Sequence, residues 1–83
     1  MLPKLEYFHF GDHGPYYGNY GGLNYSAGTE NGKITGTSAD PAPVDAYDQT
    51  FYEYDRALQQ AFSREECFEA HVNVVTSVYD LLF

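Results

Sequence analysis

Between Pro43 and Phe62 the apolar positions Tyr47, Phe51, Tyr54, Leu58 and Ala61 are spaced by four, three, four and three residues, the stripe of an amphipathic α-helix. Asp48, Tyr52 and Asp55 form the adjoining stripe, so two carboxylates point the same way along the edge of the apolar face. That edge is either a site or a solvated shoulder. Pro43, a residue tolerated in a first helical turn, starts the element, and the pattern predicts a helix over about 44–62. Ser63-Arg64-Glu65-Glu66 is then a capping box that begins a second helix over 64–82. Phe68, His71 or Val72, Val75, Tyr79 and Leu82 recur at helical spacing and give it a broad apolar face. Two helices joined by one or two residues fold back on each other, and residues whose numbers sum to about 126 then face one another. Phe51 is expected near Val75, Tyr54 near Val72, Asp55 near His71 and Leu58 near Phe68.

The first half of the chain has weaker periodicity. In residues 1–13 Leu5 and Tyr7 alternate loosely with Phe8 and Phe10, which fits a short strand or a single helical turn. Residues 14–28 are too rich in glycine for a helix and too aromatic for a plain linker. Such a loop either aims backbone groups at a ligand or packs on the core through Tyr17 and Tyr20. In residues 29–35, Asn31-Gly32 between partly β-branched flanks predicts a tight type I′ hairpin, and residues 36–43 lead into the first helix. The expectation is one mainly α domain over 1–83. It comprises an N-terminal segment (1–13), a Gly/Tyr loop (14–28), a hairpin with a proline-rich entry (29–43) and two long antiparallel helices (44–82).

Composition narrows the chemistry. A domain of 83 residues buries only about 60 to 65% of its unfolded surface, so its margin of stability is thin and a bound ion or partner would complete it. The single Cys67 allows no internal disulfide, no secretory leader pattern opens the sequence, and no apolar run is long enough to span a bilayer. A reducing intracellular setting or a virion is expected rather than secretion. The net charge of -8 argues against nucleic acid and anionic membranes as partners, leaving cations, basic proteins and neutral lipid surfaces. Nine tyrosines and six phenylalanines without tryptophan suit a homo-oligomer or a larger assembly, with Tyr17, Tyr20 and Tyr25 as candidate contact residues. His9, Asp12 and His13 are close in sequence, but nothing nearby completes four ligands, and they read as surface polar residues.

Two segments together resemble the calcium-dependent secreted-type phospholipases A2, including their disulfide-free viral capsid relatives. Tyr17-Gly18-Asn19-Tyr20-Gly21-Gly22-Leu23-Asn24 is similar to that family's calcium loop. Pro43-Val44-Asp45-Ala46-Tyr47-Asp48-Gln49-Thr50-Phe51-Tyr52-Glu53-Tyr54-Asp55 resembles the start of its active-site helix. The resemblance implies a calcium site made by the Asp55 carboxylate and the backbone carbonyls of Tyr20, Gly22 and Asn24, with water filling the remaining positions. It also implies that the catalytic histidine position is held by Tyr54. A tyrosine of ordinary pKa is about 0.1% ionised at pH 7, so supplying the base form costs about 4 kcal/mol before any chemistry. His71 is the one candidate for a relocated base. The implied function is a phospholipase A2-like binding or assembly module without hydrolase activity, a structural or viral subunit. The alternatives are a divergent calcium-dependent phospholipid esterase and a self-assembling structural protein with no lipid role.

Overall fold

The computed structural model describes residues 1–83. A 3-10 turn, Leu5–Tyr7, leads into strand β1 (Phe8–Gly11), which pairs antiparallel with β2 (Gly14–Tyr17). A second small hairpin joins β3 (Tyr25–Ser26) to β4 (Thr29–Glu30). Helices α1 (Ala46–Gln60) and α2 (Arg64–Leu82) then pack as an antiparallel pair. The domain is mixed α/β, with two helices and two hairpins, rather than mainly α with a single hairpin.

Both helices start at side-chain caps. Asp45, not Pro43, sets the start of α1: its carboxylate accepts from the Asp48 N–H at 2.9 Å. Helix α2 opens on the expected box, the Ser63 hydroxyl accepting from the Glu66 N–H at 3.1 Å. Residues 61–63 break the path between them, with Ala61 in extended backbone, so α1 ends two residues earlier than its apolar pattern suggested.

The second hairpin corrects another expectation. Its turn is Ala27-Gly28, with φ of 53° and 77°, the double left-handed pair of a type I′ turn, and not Asn31-Gly32. Gly32 serves a different need: a Cβ there would lie 2.0 Å from the Ser26 carbonyl oxygen.

The core is made chiefly of tyrosine. Tyr16, Tyr17, Tyr20, Tyr25 and Tyr47 are buried together with Ile34 and Ala70. A buried phenol needs a partner for its hydroxyl, and each hydroxyl ties two segments together. Tyr16 donates to Glu30, Tyr17 to Asp45, Tyr20 to the Pro41 carbonyl, Tyr25 to the Gly18 carbonyl and Tyr47 to the Met1 carbonyl. Tyr17, Tyr20 and Tyr25, expected as contact residues for a partner, therefore fasten the loop to the core.

Helix α2 is turned relative to its expected orientation. Its inner sector carries Cys67, Ala70, Val74, Ser77 and Leu81, which are buried or half-buried. Phe68, Val72, Val75 and Tyr79 face solvent. Small side chains at Ala70 and Ser77 let the helix backbones approach, so the narrower sector is the one that packs. The Tyr54 hydroxyl meets His71 Nδ1 at 2.7 Å, so His71 pairs with Tyr54 where Asp55 was expected.

Candidate functional site

The first turn of α1 organises the Gly/Tyr loop. Asp48 is fully buried, and its carboxylate accepts from the backbone N–H groups of Asn19 (3.0 Å), Tyr20 (2.9 Å) and Val44 (2.9 Å). One carboxylate thus gathers three amides from two segments, the buried-charge arrangement that hydrogen bonds make tolerable. Gly18 is required by it: φ is 56°, and a Cβ would stand 2.5 Å from Asp48 Cγ. Asp45 accepts from the Tyr17 hydroxyl while capping α1. Burial, followed by the hydrogen bond to Asp45, pushes the Tyr17 hydroxyl up to about 12, so it remains a neutral donor. Asp48 is neither a solvated shoulder nor an open site; it is the anchor of the loop.

Two turns along α1, Asp55 lines a cleft of about 680 Å³ between the loop, the second hairpin and both helices. Tyr20, Gly22 and Asn24 stand on the same cleft, together with Tyr54, so the four residues that the resemblance implies as calcium ligands line one cleft. They differ in availability. The Asn24 carbonyl already accepts from the Asn31 N–H at 2.6 Å, and Asn24 takes the left-handed backbone that asparagine tolerates, at φ 52°. The Tyr20 and Gly22 carbonyls carry no such bond.

Asp55 is the unusual group. Its Oδ2 is buried without a hydrogen-bond partner, and so is Ser26 Oγ in β3. Burial pushes the Asp55 carboxyl up to about 7; the facing Ser26 hydroxyl, which closes no well-formed hydrogen bond, offsets part of this, and the Asp48 charge adds to it. Asp55 and Ser26 each bring a partnerless oxygen to a cleft that Tyr20, Gly22 and Asn24 also line, and oxygen donors are what a hard cation takes once the carboxyl is ionised. No group of three or more His, Cys, Asp or Glu residues stands together as a metal site.

The neighbouring Tyr54 is a poor base. Burial raises its pKa above the ordinary value, and the charges of Asp55 and Cys67 raise it further. Its hydroxyl is engaged with His71 Nδ1. His9, from the N-terminal cluster, serves the loop: its Nε2 lies 3.1 Å from the Gly18 carbonyl oxygen.

Two site residues escaped sequence reasoning, and the role of a third was not legible. Asp48 stands on a stripe that reads as either a site or a solvated shoulder, and nothing local shows that its three partners lie in the loop and the helix entry. Ser26 carries no signal in a Gly/Tyr segment. Gln59 accepts from the Ile34 N–H at 2.9 Å and donates to the Ile34 carbonyl at 3.1 Å, fixing the far wall of the cleft in the manner of a strand neighbour. Comparison with protein-family models, with curated proteins and with solved structures finds no match to this chain.

Proposed function

We propose that the chain is a phospholipase A2-like module that binds through its cleft and does not hydrolyse, serving as a binding or assembly unit. The observation that carries this reading is the pairing of Asp55 and Tyr54 on one wall. The carboxylate of the family motif is kept on the cleft wall with one buried oxygen that has no hydrogen-bond partner, while the base position holds a hydroxyl whose proton is bound more tightly than in ordinary tyrosine. In this reading calcium would be held by the Asp55 carboxylate and the carbonyls of Tyr20 and Gly22, with Asn24 contributing only through its remaining lone pair, since its carbonyl already accepts from Asn31. A single carboxylate among neutral ligands makes a weak, millimolar site. Incubation of the purified protein with phosphatidylcholine vesicles and millimolar calcium is expected to release no fatty acid. Hydrolysis that a chelator and Asp55→Ala both abolish would overturn the reading.

One contact favours a second reading, a divergent calcium-dependent esterase. A water in the cleft would give its proton to the Tyr54 oxygen as Tyr54 passes its own to His71 Nδ1, so the phenol stays neutral throughout. Hydrolysis lost in both Tyr54→Phe and His71→Gln would establish this relay and displace the binding-only account.

A further inference from the structure

The outer face of α2 is apolar along its length and covered by nothing. Phe68, Val72, Val75 and Tyr79 follow at spacings of four, three and four residues, with exposures of 66%, 41%, 67% and 61%. Phe83 stacks at a tilt on Tyr79, with centroids 4.9 Å apart, and extends the stripe to about 22 Å at the helical rise of about 1.5 Å per residue. None of these residues lines the cleft. The surface of the whole molecule is also large for its mass, at 5629 Å², against about 5000 Å² for a compact monomer of this size. Contiguous exposed apolar area of this kind marks a docking surface.

Charge selects the occupant. Glu65, Glu69 and Asp80 are exposed along one edge of the stripe, and Arg64 is the only lysine or arginine in α2. A second copy laid antiparallel on this face would bring Glu65 and Glu69 against the other copy's Asp80, within a chain that already carries -8. An anionic bilayer would meet the same repulsion. A helix with apolar anchors at the matching spacing and lysine or arginine beside them would satisfy both the stripe and its acidic edge. We propose that the outer face of α2 docks a basic amphipathic helix from a partner protein. The proposal is independent of the cleft and of the phospholipase-like reading.

The test uses the whole chain and a labelled peptide of about 18 residues, a helix-length leucine and lysine amphipath, with a leucine and glutamate twin as control. Fluorescence anisotropy is expected to show the lysine peptide binding at least about tenfold tighter than its acidic twin. Val75→Asp, at a site outside the core, is expected to weaken binding about a hundredfold with unchanged circular dichroism. That variant adds a negative charge, so non-specific attraction of the basic peptide would increase rather than fall. The combined Glu65→Lys, Glu69→Lys and Asp80→Lys variant is expected to prefer the acidic twin. Equal binding of the two peptides, or binding indifferent to Val75→Asp, would overturn the proposal. A dimer in sedimentation equilibrium that Val75→Asp dissociates would assign the face to a second copy. Retention on neutral phosphatidylcholine vesicles that Val75→Asp abolishes would assign it to a bilayer.

Discussion

Asp55→Asn is expected to stabilise the protein, and to do so only where the carboxyl would ionise. In the folded chain this carboxyl keeps its proton up to about 7, against an ordinary value of 3.8, chiefly because burial disfavours its charge. The folded state therefore binds more protons than the unfolded state between those two values, and stability falls as pH rises through that window. Full ionisation in the folded state would cost about 4 kcal/mol, and because the group keeps partial contact with water we expect about half, near 2 kcal/mol. Asparagine has nearly the same shape and no charge to bury. In urea denaturation the variant should match the parent near pH 4 and exceed it by about 2 kcal/mol at pH 8. An Asp55→Asn variant less stable than the parent at pH 8, or a difference that does not vary with pH, would refute the reasoning. The importance of the result is functional: a carboxylate that costs the fold stability at neutral pH is a candidate for use by a ligand.

Three further changes probe the support of the cleft. Asp48→Asn replaces an acceptor oxygen with a donor before the Asn19, Tyr20 and Val44 amides, and should cost about 2 to 3 kcal/mol in urea denaturation, with those amides shifting most in the NMR spectrum. Gly18→Ala combines a left-handed backbone with a collision at Asp48, and should cost at least about 1 kcal/mol by the same assay; a neutral result would show that the loop yields there. Ser26→Ala removes the one neighbour that favours ionised Asp55, so a carboxyl NMR titration should move the Asp55 midpoint upward; a midpoint that stays or falls would remove Ser26 from the site.

What could be read from the sequence was mostly local. The apolar stripe of α1 and the Ser63 box depend on residues three or four apart, and both hold in the structure. The mutual register of the helices was legible to within about a residue, as Tyr54 against His71 shows. The rotation of α2 was not. With apolar residues around most of its circumference, periodicity cannot choose between a sector of large side chains and one of small ones, and close packing chose Ala70 and Ser77. The Asn31-Gly32 signal misled because Gly32 is needed for a close approach to Ser26, while an alanine occupies the first turn position at φ 53°. Of the candidate site, the residues came together but their chemistry was partly hidden. Asp48 reaches partners as far as 29 residues away in sequence, which no local pattern reports. The bare oxygen of Asp55 depends on the fold of a hairpin whose turn lies elsewhere than the Asn-Gly pair suggests.

The proposed binding of a cation between Asp55 and the loop is tested most directly by a calcium titration followed at the backbone amides of residues 20–24. Saturable shifts in the millimolar range are predicted, absent in Asp55→Ala and about tenfold weaker in apparent affinity at pH 6 than at pH 8, because calcium must displace the Asp55 proton. Amides that do not move up to several millimolar calcium at pH 8, or that move equally in Asp55→Ala, would contradict it.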